Sequence, residues 1–412
     1  MANDFKNTSL VVKWAMKAFL NALQLGNKVD RQLDEKNIFS GKVGATAQVR
    51  RPVYFAATDG AVIEAGETSD IEEGIVNVTL DQRKKVVFSI SSQDQTLKIE
   101  DAYSRYIAPA MAELAQQVES SIANEYSNIF NLVGTPGTTP ATFLVVAQAK
   151  AKLDELGVPM EKRCAFFSPT ATINLSNALS GVFPQGIAKT AIEEASIGRY
   201  GGFDMYTNQS LKTHTVGVNT GTPLVNGATQ ETTYATSKDT WTQSLITDGW
   251  TNSQTGILKA GDVFTIADVY SVNRRTREST GNLAQFVVTA DADSGASTGP
   301  ATFTISPPII ISGPYQTVDS SPANNAALVV KTGTGGTAYR QNISFHKDAM
   351  TLASAQLDLP QDGATASREN YKGVSIRLVR QYNATLDETV MRFDILYGIK
   401  TQNPGFACRI TG

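Results

Sequence analysis

The chain has 412 residues, of which 41% are hydrophobic, 18% charged and 8% aromatic; this excludes a disordered or collagen-like polypeptide and sets an expectation of two or three domains. Its 36 basic and 39 acidic side chains leave a formal charge of −3, without the basic surplus of a protein that grips nucleic acid through its phosphates. Cys164 and Cys408 have neither a CxxC nor a Cys/His spacing near them, no apolar run of about 18 residues is present, and Met1-Ala2-Asn3-Asp4 opens no signal segment, so a soluble chain with reduced thiols, made in a cytoplasm, is expected.

Thr8-Ser9 predict a helix cap over residues 10–25, with Gly26 as the stop and Leu10, Val11, Trp14, Ala15, Ala18 and Ala22 as its apolar positions. Two alternating segments follow, Val49 to Phe55 and Ile75 to Ile90, and read as a long hairpin whose first strand is an edge because of Pro52. The tip between them, residues 56–74, holds Asp59, Glu64, Glu67, Asp70, Glu72 and Glu73 and no Lys or Arg, whereas Arg50, Arg51, Arg83, Lys84 and Lys85 lie on the strands. Such a charge run is either a solvated loop or a polarised arm that reaches a neighbouring subunit.

From Glu100 to Asn131, apolar residues recur at steps of three or four, from Tyr103 through Met111, Leu114, Val118 and Ile122 to Ile129, which predicts a spine helix about 30–45 Å long. Pro109 falls in its first turns. A helix over 142–156, a strand over 164–167, a helix capped at Ser168 and a strand over 203–206 come next. After Lys212 charge nearly vanishes; short strands are then expected at 262–270, 285–289, 301–305, 309–311 and 327–331, the pattern of a small barrel or sandwich. A Gly333-Thr-Gly-Gly336 loop, read as flexible, closes that stretch. Helical signal is expected over 347–355, and strands over 374–382 and 390–399 form a closing hairpin.

Little of this carries chemistry. His214 and His346 are the only histidines, too few for a histidine triad or zinc site, and Cys164 sits in an apolar strand with no basic partner. The Gly333 run lacks the Lys-Ser/Thr end of a phosphate loop. No catalytic constellation, cofactor site or metal site is expected.

The order of parts resembles the tailed-phage major capsid fold, shared by herpesvirus capsid floors, and more narrowly the short-tailed-phage coat proteins with an inserted β-barrel. Val49-Arg50-Arg51-Pro52 is similar to the family's lobe strand, Gly201 to Tyr206 to the strand before the insertion, and Leu258 to Ile266 to the barrel's first core strand. Asn342 to Ala349 resembles the segment where the chain re-enters the host domain, and Arg392 to Gly398 the terminal sheet. The resemblance implies an α+β fold. Its parts are an N-terminal arm (1–40), an extended hairpin lobe (41–97), a peripheral domain with spine helix and sheet (98–140, 371–412), an axial domain (141–212, 341–370) and an inserted all-β barrel (213–340). Family members can carry an acidic loop that bridges capsomers, but Ile246 to Thr255 holds only Asp248. An isopeptide weld between subunits has no signature here.

The implied function is a virion shell protein, not an enzyme, assembling in a host cytoplasm into pentamers and hexamers that enclose a DNA genome. Its expected partners are itself, a scaffolding protein, a portal protein, decoration proteins and packaged DNA held without sequence reading; no membrane and no cofactor is expected. Inter-subunit contacts are expected at Trp14, Arg50 and Arg51 and at the acidic residues Asp59, Glu64, Glu67, Asp70, Glu72 and Glu73. An encapsulin-like cargo shell and a β-rich carbohydrate-binding adhesin are the alternatives.

Overall fold

Apolar residues at helical spacing place one face of the N-terminal helix, Thr8–Ala22, in a core made by Val11, Val12, Ala15, Met16 and Phe19. Thr8 is already helical, so the Thr8-Ser9 cap expected from the sequence is replaced by the first turn itself. The computed structural model describes residues 8–33, 46–51, 53–55, 73–91, 103–180, 198–360 and 364–412. Two compact units make up the chain: Met1–Val49 with Asn77–Ala123 and Met350–Lys400, and Arg50–Val76 with Asn124–Ala349 and Thr401–Gly412.

In the first unit, the predicted spine is helical from 103 to 128 but changes pitch twice. A π turn at Tyr103–Ile107 leads into an α-helix at Ala108–Ala123, and Pro109, which lacks an N–H to donate to the preceding turn, sits just after this change of pitch. A tighter 3-10 segment, Asn124–Asn128, ends it and begins the second unit. Met111, Leu114, Ala115, Val118 and Ile122 form the buried stripe.

The sheet of this unit runs Asp30–Leu33, Met350–Ala355, Glu388–Thr401, Val374–Asn383, Thr365–Tyr371, with Gln82–Ser91 also paired to Glu388–Thr401. Met350–Ala355 is thus a strand, and the helix expected over 347–355 is confined to a short 3-10 turn at Lys347–Ala349. All six strand residues are buried, and a strand covered on both faces shows no alternation that would separate it from a buried helix. The expected long hairpin is also revised. Thr46–Arg50 pairs with Ile75–Thr79 alone; the chain breaks at Leu80-Asp81, and Gln82–Ser91 turns to the closing hairpin instead.

The second unit holds a six-stranded sheet in the order Leu132–Val133, Ala407–Ile410, Asn342–His346, Arg163–Phe167, Phe203–Thr207, Arg199–Tyr200. Its other sheet draws every strand from residues 221–330: Gly221–Val225, Gln243–Trp250, Ala301–Ser306, Ser279–Val288, Val263–Val272, Leu328–Val330. The two end strands meet through a Leu224–Ala327 bridge and a 2.9 Å bond from Val225 N–H to Ala326 O, which closes the sheet into a barrel. Leu245, Trp250, Phe264, Phe286, Phe303 and Ile305 fill it. The strand expected at 309–311 does not form; Ile309 and Ile310 follow Pro307-Pro308 as buried coil.

Thr213–Thr215 pairs antiparallel with Ala338–Arg340, so the entry and exit of this all-β stretch lie side by side. The Gly333–Gly336 loop is packed, not loose: a Cβ at Gly335 would overlap the Val218 carbonyl.

Candidate assembly surface

Successive strand residues face opposite ways, and that alternation separates the two arginines of the lobe strand. Arg50 points outward and pairs with Glu73 at 3.0 Å, both side chains well exposed. Arg51 points inward and donates to the Gln402 carbonyl at 2.8 Å. Its guanidinium lies 5.5 Å from the Trp241 ring, which Arg274 approaches at 5.7 Å, and Tyr234 stacks on Tyr315 beside them with centroids 3.5 Å apart. Burial pulls Arg51 down to about 10, with the Arg274 charge adding to the effect and Tyr234 and Asp239 opposing it; it therefore keeps its proton at neutral pH. Ile75 N–H donating to Asp239 at 3.1 Å and Arg277 donating to the Phe55 carbonyl at 3.2 Å complete this clamp. Arg51 is thus engaged inside its own subunit, a role the sequence pattern does not distinguish from that of Arg50. Of the six tip acids, Glu73 is described; Asp59, Glu64, Glu67, Asp70 and Glu72 lie outside the described residues.

On the N-terminal helix, Trp14 and Leu10 stand one turn apart with 47% and 45% of their surface exposed, opposite the buried stripe. The turn after this helix is fixed by a carboxylate. Glu119 of the spine is 2% exposed and accepts from the N–H groups of Leu25 and Gly26 at 3.0 and 2.8 Å.

Two further buried carboxylates organise the molecule, and neither stands out in the sequence. Asp262, at the start of a barrel strand, accepts from Gly217 and Lys259 N–H at 2.9 and 2.7 Å and from the Thr332 hydroxyl at 2.9 Å. His214 Nε2 bonds to it at 2.8 Å, and Tyr126 reaches the other ring nitrogen at 3.3 Å. Burial alone would raise the Asp262 carboxyl, but these donors hold it below its ordinary value. Asp394 in the first unit is fully enclosed, bonded by Arg377 and, at 2.7 Å, by Arg392, with Arg83 at 3.5 Å. Here too the donors outweigh burial and depress the carboxyl.

These groups are structural. His346 is buried edge-on against Phe406, and burial lowers its basicity. Cys164 and Cys408 are buried, and the Cys408 thiol is pushed up to about 12, far from a reactive thiolate. Among the described residues no group of three or more His, Cys, Asp or Glu side chains is placed to hold a metal ion, and no helix is long and apolar enough to cross a membrane.

Comparison with known proteins adds the biological context. The family described as P22 coat protein, gene protein 5, matches residues 1–412. A major capsid protein of Acyrthosiphon pisum secondary endosymbiont phage 1 is 26% identical over 428 residues, covering 98% of each chain. Among solved structures, one from Mycobacterium phage Che8 aligns with 94% of this chain and 90% of its own at 13% identity and a TM-score of 0.44. The CUS-3 coat protein I-domain aligns at 30% identity with 27% of this chain and 97% of its own, at a TM-score of 0.20.

Proposed function

The chain belongs to the P22 coat protein family, and we infer from this that it is a tailed-phage major capsid protein, a subunit that builds the icosahedral head of a virion. The observation that carries the reading is the family match over residues 1–412, insertion included. A cargo shell or an adhesin has no comparable support.

The mechanism is geometric. Copies of one chain close into pentamers and hexamers, and each copy is held by several neighbours at once, so modest contacts add up to a stable shell. The exposed Trp14–Leu10 face, Arg50 and the acidic lobe tip are the surfaces we assign to contacts between subunits. Arg51 serves them indirectly, by fixing the strand that carries the tip. The division into arm, lobe, peripheral, axial and inserted domains is likewise our reading, supported for residues 213–340 by the closed barrel and its paired ends.

A scaffolding protein, a portal, decoration proteins and DNA touching the inner face without sequence reading complete the proposed assembly, which takes place in the host cytoplasm. No catalytic activity is assigned: both histidines are buried and engaged, and both thiols are buried. Expressed with its scaffolding partner, or alone at high concentration, the protein is expected to form hollow shells or capsomers in micrographs and sedimentation. A species that stays monomeric under all these conditions would overturn the reading.

A further inference from the structure

Arg51 follows the lobe strand Thr46–Arg50, Arg274 follows the barrel strand Val263–Val272, and Trp241 precedes the barrel strand Gln243–Trp250. The two guanidinium groups approach the same indole ring, at 5.5 and 5.7 Å from its centre. Their charges repel, and the Arg274 charge works against Arg51 keeping its proton. Among the described residues neither arginine makes an ion pair. Asp239, the carboxylate whose charge reaches Arg51, is already bonded by the Ile75 N–H.

Two N–H groups here are unsatisfied as well. Trp241 is 6% exposed and its Nε1 has no hydrogen-bond partner, nor has the buried Nε of Arg51. Each such donor carries a desolvation cost that an acceptor would relieve. Trp241 also has a φ of 57°, in the left-handed region that a bulky residue enters only where its surroundings hold it. Arg51, Arg274 and Trp241 line a cavity of about 20 Å³ with Tyr54, Tyr234 and Tyr315. That is room for one water-sized occupant. No carboxylate is among the described residues that line it.

We propose that this cavity binds one monatomic anion, chloride being the ordinary one, with Arg51 and Arg274 supplying charge and the Trp241 N–H a hydrogen bond. Charge selects an anion over water, because water would satisfy the N–H groups but leave two guanidinium charges without a counterion. Size selects a single atom, because the room for one water does not admit a phosphate or a carboxylate-bearing molecule. The bound ion ties the end of the lobe strand to the barrel inside one subunit, and its binding does not depend on the capsid reading.

The test uses the full-length protein, with chloride exchanged for gluconate at constant ionic strength. The melting temperature should rise by about 2–4 °C on going to about 0.15 M chloride and then level off, as for a ligand that binds only the folded state. Arg274→Gln should remove this rise. Trp241→Phe keeps an aromatic ring and loses the N–H, and should move the midpoint of the chloride titration about tenfold higher. Crystals soaked in bromide should show an anomalous peak in the cavity, a readout that needs no variant. Equal melting in chloride and gluconate, or a cavity that holds water alone in bromide, would overturn the proposal. A full rise retained in Arg274→Gln would overturn it by placing the ion elsewhere. An equal rise with acetate would overturn the assignment to a monatomic ion.

Discussion

Two of the six-stranded sheets in the molecule are built on opposite plans. The barrel takes all six strands from residues 221–330, and most of its polar support is equally local: Gly217, Lys259, His214 and Thr332 bind Asp262 from within residues 213–340. The sheet of the first unit joins strands from residues 30–33, 82–91 and 350–401, and three arginines converge on Asp394 at its centre. A locally wired sheet closes its core with short loops, whereas a mosaic sheet must first bring distant segments together and meet the entropy of long loop closure. The barrel therefore suits a piece inserted into a host fold without disturbing it. The mosaic sheet suits a frame whose integrity depends on the whole chain.

The strongest way to break this comparison is to cut the chain. Residues 213–340 alone should be soluble, β-rich and cooperatively unfolding, with dispersed amide resonances, whereas residues 350–400 alone should not fold. Excision does expose Val263 and Val287, which pack against Phe130 and Leu132, and removes the two bonds between Gln285 and the Leu132 backbone. The fragment should therefore be less stable than the barrel within the full chain. A fragment without a melting transition would show that the barrel borrows its fold from the host.

Asp394→Ala sharpens the comparison at a single side chain. It leaves the partly buried Arg377 and Arg392 without their shared anion, at a cost of about 3–5 kcal/mol. Calorimetry should show the loss, with fragment-like barrel behaviour unchanged. An equal loss in the barrel would mean that the two assemblies unfold as one.

The smallest effect expected is on acid stability, and it should appear in both regions. Asp262 and Asp394 have carboxyls held below the ordinary 3.8, so the folded state binds fewer protons than the unfolded one as the pH falls past that value. Their stabilisation is complete above about pH 4 and is lost as the pH drops through the folded values, at about 1.4 kcal/mol for each unit of depression. Melting temperatures followed from pH 6 to pH 3 should fall below pH 4, and Asp394→Asn should fall less steeply. An unchanged slope in that variant would remove Asp394 from the account.

Sequence by itself determined most of the local elements, because their cause is local. The stripe from Met111 to Ile122 makes the spine, Val374 to Ile399 alternates as the closing hairpin, and loss of charge after Lys212 marks the start of the all-β stretch. Ser168 accepts from Ala171 N–H at 3.4 Å, as its place before the helix suggests. Tertiary structure alone decided what depends on burial from two sides or on distant partners. Met350–Ala355 loses its period because both faces are covered, and Gln82–Ser91 leaves the lobe because Glu388–Thr401 offers a full-length partner. Arg50 and Arg51 are adjacent and chemically identical; strand alternation sends one to solvent and the other beneath Trp241. Glu119, Asp262 and Asp394 look like surface acids in a sequence. Only the fold surrounds them with donors, from near neighbours such as Lys259 and Arg392 and from more distant residues such as Leu25, Gly217 and Arg83, and a carboxylate is tolerated in an interior only when such donors replace its water.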